Sequence, residues 1–186
     1  MDWELELMRW ADGWSSTAFL DLVIPWLTYL GSHFAVILFV LLNWSLTRRR
    51  QVLRHLLILY GILSAVLYSL KYLVQRERPL LLLDMASKLS KGPGEILDPS
   101  FPSAHTGYAF MMATFLAASF PQYRIIFFLL AAFIGWTRIY LGVHFPTDVV
   151  TGAVLGYGVS KLFLHYFPLS SRPTAGRRRG DGEYAP

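Results

Sequence analysis

Seven side chains able to bind an anion or move a proton fall in three short clusters. They are Lys71 and Arg78; Ser103 and His105, with Ala104 between them; and Arg138, His144 and Asp148. Lys71 and Arg78 are seven residues apart, so at roughly 100° per residue they lie within about 20° on one helix face, two turns apart. Together they can grip one anion, and Pro79 ends the helix with Arg78 at its tip. Taken singly, Lys71 can snorkel and Arg78 can complement a helix C-terminus. Pro102-Ser103-Ala104-His105-Thr106 precedes an apolar run, which makes Ser103 an N-cap and turns the amides of Ala104 and His105 outward as an anion site. His105 beside that helix end suits a general acid, or is a satisfied polar residue. Pro146 reads as the first residue of a helix, so Asp148 sits in the first turn and complements the dipole. An Asp148 that reached Nδ1–H of His144 would instead fix the tautomer presenting Nε2 as a nucleophile.

Two imidazoles and a carboxylate can also hold a catalytic metal ion. Lys71, Arg78 and Arg138 oppose a cation there, whereas the same three charges suit a phosphate, whose negative charge is spread over several oxygens. The clusters therefore point to phosphoryl chemistry with no metal and no cofactor.

The elements that must position these residues are membrane helices. Of the 186 residues, 54% are hydrophobic and 16% charged, against about 25% charge in an ordinary soluble domain; mean hydropathy is +0.42. The absence of cysteine excludes a thiolate nucleophile, zinc-thiolate and iron–sulfur sites, and disulfides. Leu22 to Thr47 holds no charged residue, and its half from Phe34 to Leu42 is apolar on every face, as lipid requires. The other half is broken by Pro25, Thr28, Gly31, Ser32 and His33, so Trp3 to about Leu30 reads as interfacial helices. A sixth span at residues 17–31 is the competing reading. Further spans are expected at about Leu53–Gln75, Ser103–Phe120, Ile125–Leu141 and Pro146–Phe167. The expectation is an all-α polytopic bundle of five spans, six possible, with N-terminal interfacial helices. Residues 1–169 form one membrane-embedded domain, and the Arg- and Gly-rich 170–186 tail reads as disordered.

Arg48, Arg49, Arg50, Arg54, Arg124 and the tail arginines then fall on one side, which the positive-inside rule makes cytoplasmic. The 79–102 loop, the 142–146 turn and the acidic N-terminus face outward in a plasma or inner membrane, and all seven candidate residues gather at that outer face. Ionisable groups within spans cost about 2.5–3.5 kcal/mol each on insertion scales, so their presence is itself a functional sign. The Arg177-Arg178-Arg179 run fits topology and anionic lipid better than nucleic acid.

In this order and spacing the clusters resemble the three-part signature of the type 2 phosphatidic acid phosphatase (lipid phosphate phosphatase) superfamily. Lys71-x6-Arg78-Pro79 is similar to its first motif. Phe101-Pro102-Ser103-Ala104-His105 is similar to its second, with Ala104 where Gly is usual. Thr137-Arg138-x5-His144-x3-Asp148 is similar to its third, with Thr137 where Ser is common. The resemblance implies that Lys71, Arg78 and Arg138 bind the phosphoryl oxygens, assisted by Ser103 and local amides such as that of Ala104. It implies that His144, oriented by Asp148, attacks phosphorus to give a phosphohistidine, and that His105 protonates the departing lipid oxygen and then activates water. The implied substrates are phosphorylated membrane lipids: undecaprenyl diphosphate, on which the expectation leans, phosphatidylglycerol phosphate, phosphatidate or a lipid A phosphate. A lipid phosphotransferase would carry the same residues; a non-catalytic carrier would need no pair of histidines.

Overall fold

The computed structural model describes residues 2–12, 18–83 and 98–169; the middle of the long loop, 84–97, and the 170–186 tail read above as disordered lie outside the described residues. In chain order the helices are α1 (Asp2–Asp12), α2 (Ala18–Leu27), a 3-10 turn (Thr28–Gly31), α3 (His33–Thr47), α4 (Arg50–Val74) and the single turn α5 (Pro79–Leu82). They continue with α6 (Ala104–Ser119), a second 3-10 turn (Pro121–Tyr123), α7 (Arg124–Tyr140) and α8 (Pro146–Tyr166). No strand occurs among the described residues.

Helix α6 is the axis. Leu56, Leu59, Leu63 and Leu67, spaced to form one stripe of α4, pack on Tyr108, Met111 and Phe115 of α6. Ala109 and Ala113, on another face of α6, meet Ala131 and Ile134 of α7. In a bilayer, apolar contact alone does not drive helices together, and small residues that admit close packing do much of it. Gly152 and Gly156 of α8 serve this end: a Cβ at Gly156 would run into the carbonyl of Gly107, and one at Gly152 into that of Ser103. The close approach sets the start of α8 against the start of α6, where the Ser103 N–H donates to the Asp148 carbonyl at 3.0 Å.

Outward, Leu73, Ile125, Leu129, Leu130 and Val154 are exposed, as a lipid-facing surface requires. Among the described residues, Arg50–Leu82 and Pro121–Tyr140 are each long and apolar enough to cross a membrane. Leu22–Gly31 and His33–Leu46 qualify only as a pair bent by 57°, and the bend falls where the apolar stretch was expected to divide into interfacial and spanning halves. Pro25 interrupts its helical bonding, and Ser32 restarts the helix by accepting the Ala35 N–H at 3.3 Å. The remaining two expected spans are α6 and α8. At 16 residues α6 is short of the ~20 a span needs, and α8 is the more polar of the two, with Thr147, Asp148, Thr151, Ser160 and Lys161. Enclosure by α4, α7 and α8 relieves most of α6 from meeting lipid.

One expectation is corrected. Helix α4 stops at Val74, because Gln75 turns left-handed (φ 47°, ψ 41°), and Arg78 is extended (φ −83°, ψ 146°) ahead of Pro79. Lys71 and Arg78 therefore do not share a helix face. Proline keeps its predecessor out of the helical region, and the chain leaves the helix three residues earlier still.

Candidate active site

A cavity of about 230 Å³ opens where α4 ends and α6 begins. Of the residues singled out in the sequence, Lys71, Arg78, Ala104, His105 and His144 line it. Ser103, Arg138 and Asp148 do not; each is buried behind its wall.

Although they sit on different elements, the two cations of the first cluster converge. Lys71 Nζ lies 3.1 Å from Asp98 Oδ2 and also donates to the Pro99 carbonyl. Arg78 reaches Asp98 Oδ1 at 2.8 Å, donates from Nε to the Asp98 carbonyl at 2.9 Å, and donates to the Val143 carbonyl at 3.3 Å. Burial alone would raise the Asp98 carboxyl, but Lys71 and Arg78 outweigh it and hold the group below its ordinary value. One carboxylate, through its two oxygens, is thus shared by both cations. Asp98 was not singled out in the sequence, where nothing distinguishes it from the other acids of its loop.

Arg138 points a guanidinium nitrogen at Thr28 Oγ1, 3.0 Å away, while its carbonyl accepts the N–H groups of Val143 (3.2 Å) and His144 (3.3 Å). The third cation thus also fixes the backbone of His144. Ser103 has the cap role read from the sequence: fully buried, its Oγ accepts the Thr106 N–H at 3.5 Å and the Thr106 hydroxyl at 3.0 Å.

Asp148 is likewise a cap first. Its Oδ2 accepts the Phe145 N–H at 2.9 Å and stands 3.6 Å from His144 Nδ1, a close approach longer than a hydrogen bond. His144 Nδ1 is buried without a hydrogen-bond partner. In the turn between α7 and α8, burial and then the charges of Arg78, Arg138 and Lys71 press the His144 imidazole well below its ordinary value, against a hydrogen bond with the Ser100 backbone. Burial and the surrounding cations thus both favour the neutral form of the ring.

Sequence reasoning missed what holds Asp148. Arg76 donates to Asp148 Oδ1 at 2.6 Å, to Thr147 Oγ1 at 2.8 Å and to Glu4 Oε2 at 2.6 Å, with its guanidinium 4.0 Å above the Phe145 ring. Glu4, carried by α1, closes the arrangement by accepting the Thr147 hydroxyl at 2.7 Å and its N–H at 3.2 Å. Burial would raise the Glu4 carboxyl, yet the bonds from Thr147 and Arg76 prevail and it stays lower than usual, hence ionised. Among the described residues no group of three or more His, Asp or Glu is arranged to hold a metal ion.

The sequence model of the PAP2 superfamily matches residues 52–172, which carry every residue of the three clusters. The chain belongs to the PAP2 superfamily. A lipid A 1-phosphatase of Rhizobium johnstonii is 38% identical over 63 residues, which is 34% of this PAP2 chain and 26% of that protein. The candidate undecaprenyl-diphosphatase YbjG of Escherichia coli is 31% identical over 121 residues, 63% of this chain and 58% of that one. The matched parts thus span about a quarter and somewhat over half of those relatives. The crystal structure of Aquifex aeolicus LpxE superposes with a TM-score of 0.72 at 31% identity, over 87% of this chain and 94% of that one. A phosphatidylglycerolphosphate phosphatase of Bacillus subtilis shares the fold, with a TM-score of 0.71 at 24% identity over 89% of this chain and 84% of that one.

Proposed function

We propose that this membrane protein is a lipid phosphatase that releases phosphate from a phosphate monoester or diphosphate of a membrane lipid through a phosphohistidine on His144. The observation that carries the reading is that both histidines line one cavity with Lys71 and Arg78. Lys71 and Arg78 bind the nonbridging oxygens, the α6 N-terminus faces them from the side, and Arg138 adds its charge from behind the wall. His144 Nε2 forms a bond to phosphorus as the bond from phosphorus to the leaving oxygen breaks; that oxygen keeps the electron pair and takes a proton from His105. Water then attacks the phosphohistidine, His105 accepts its proton, and the P–N bond breaks to return neutral His144 and free phosphate. Lys71, Arg78 and Arg138 supply the charge a metal would, so the proposed reaction needs none. Within the class we favour a polyprenyl diphosphate, in line with the name of the Escherichia coli relative; the Rhizobium relative makes a lipid A phosphate the next choice.

The test is phosphate release by purified protein from undecaprenyl diphosphate, phosphatidylglycerol phosphate, phosphatidate and lipid A, with and without an acceptor lipid. Free phosphate is expected, undiminished by excess EDTA and inhibited by vanadate, whose trigonal-bipyramidal form mimics the transition state. Activity lost in chelator and restored by a divalent ion would reinstate a metal. Transfer to the acceptor without free phosphate would make the protein a phosphotransferase, and binding without turnover a carrier.

The site is proposed to face away from the cytoplasm, with residues 48–50 and the C-terminus inside, on the strength of Arg48, Arg49, Arg50, Arg54 and Arg124 at the opposite helix ends. The chain has no native cysteine. A membrane-impermeant maleimide on intact cells or spheroplasts is expected to label Ser90→Cys and miss Gln51→Cys. The reverse pattern would place the reaction at the inner leaflet.

A further inference from the structure

At the end of the bundle away from the candidate active site, a second cavity of about 540 Å³ opens between α6, α7 and α8. Ala117 and Ala118 of α6 line it, about 20 Å along the helix from His105. Three nitrogen-bearing side chains meet there: Arg124 at the start of α7, and Lys161 and His165, four residues apart and so on one face of α8. No carboxylate of the described residues lines the cavity, and neither Arg124 nor Lys161 forms an ion pair among them. From Pro99 to Leu169 the one acidic residue is Asp148, which stands at the opposite end of α8 against Arg76.

A furrow runs on from this cavity toward the middle of the bundle. Arg124, Phe128 and Tyr157 line both, and beyond them the walls are the apolar Phe110, Leu129 and Ala132. The Phe128 ring lies 6.0 Å from that of Phe110 and 5.8 Å from that of Tyr157, which closes the floor. Arg124 to Ala132 covers about 12 Å of α7, and the exposed Ile125 and Leu129 leave the furrow open to hydrocarbon. Any lipid chain can lie there, since hydrocarbon gains little over the bilayer by entering. The head group therefore selects. Two uncompensated cations favour a phosphate that carries no ammonium of its own, because a zwitterionic head group brings a like charge to Arg124 and Lys161. The chain's own 170–186 tail does not complement this end, with four arginines against Asp181 and Glu183.

We propose that α6, α7 and α8 form a binding site for an anionic glycerophospholipid, its phosphate held by Arg124, Lys161 and a ring N–H of His165, and one acyl chain laid along Phe128, Leu129 and Ala132. The contacts come from different helices, Arg124 and the furrow wall from α7, Lys161 and His165 from α8. The lipid thus ties together two helices that carry Arg138 and Asp148 at their far ends. It shares no residue with the cavity of Lys71 and Arg78, and does not depend on the phosphatase reading. In the orientation proposed above it belongs to the cytoplasmic leaflet.

The experiment is a native mass spectrometry titration of the purified full chain with phosphatidylglycerol or phosphatidylcholine of matched chains. The wild type is expected to retain one phosphatidylglycerol and to prefer it to phosphatidylcholine. Arg124→Ala with Lys161→Ala should weaken phosphatidylglycerol about 30-fold, roughly fivefold for each cation near a head group. Ala132→Trp fills the furrow from an exposed position without touching a charge, and should weaken it several-fold. Lys71→Ala should bind it as the wild type does; a loss there, with the double variant unchanged, would place the lipid in the candidate active site and overturn the proposal. Equal retention of the two lipids would also overturn it, as would a loss in the double variant with none in Ala132→Trp, which describes a charged surface and no chain site. A dimer that the double variant lacks, or an affinity raised by removing residues 170–186, would make a second copy or the tail the occupant instead. Arg124 and Lys161 are both exposed; should the double variant still fail to fold, the wild-type preference and Ala132→Trp decide.

Discussion

His144→Ala is expected to lower phosphate release by about 10⁴-fold or more while orthophosphate still binds. The substitution removes the nitrogen proposed to attack and leaves Lys71, Arg78 and the α6 N-terminus in place, so it strikes the transition state and spares the ground state. A wild-type enzyme quenched during turnover should carry an acid-labile, alkali-stable phosphate that the variant lacks. The imidazole is buried and ringed by Arg78, Arg138 and Lys71, which hold it neutral to well below its ordinary value. The acidic limb of kcat/KM due to the nucleophile therefore lies below pH ~6.5, where an unperturbed histidine would already be half protonated. Turnover near the wild-type rate, or the same phosphoenzyme in the variant, would remove His144 from the proposed role.

What could be read in the sequence was what has a local cause. Pro146 at a helix start, Ser103 before an apolar run and Asp148 three residues past Phe145 each have a local cause, a fixed ring or a bond to a residue three positions away, and each stands at the helix start expected of it. The convergence of Lys71 with Arg78 was expected, but through a shared helix face that the left-handed Gln75 removes; a loop carboxylate, Asp98, brings the cations together instead. Asp98 is 27 residues from Lys71 and 20 from Arg78 in sequence, and no periodicity reports such a pair. His33 read as an interruption of an apolar stretch, and only packing shows that Tyr60 and Tyr68 receive it. The span count was hardest for the same reason. Hydropathy records what a helix would meet if lipid surrounded it, and α6 is met chiefly by protein.

Arg76 is the clearest case of a residue hidden by distance, because its partners Glu4 and Asp148 are each 72 positions away. Its removal is expected to have the second largest effect. In Arg76→Ala, the fully buried Asp148 carboxylate keeps the Phe145 N–H but loses its countercharge, and Glu4 becomes an unpaired buried anion nearby. Breaking one side of a buried ion network costs about 3–5 kcal/mol, so a lower Tm is expected whatever the functional role. Positioning is read by a second measurement. Asp148 sits 3.6 Å from His144 Nδ1, and in the proposed reaction it closes to a hydrogen bond as the imidazole takes on charge during attack. An Asp148 released by Arg76 does this poorly, so kcat should fall about 10²-fold with KM little changed. Arg76→Lys restores the charge without the fork that spans Glu4 and Asp148, and should recover stability more fully than kcat. Millimolar guanidinium ion added to Arg76→Ala should recover part of kcat. Combined with His144→Ala the substitution should cost no further activity, since the group it positions is already gone. A variant whose Tm drops while kcat stays at the wild-type value would reduce Arg76 to a clamp between α1 and α8.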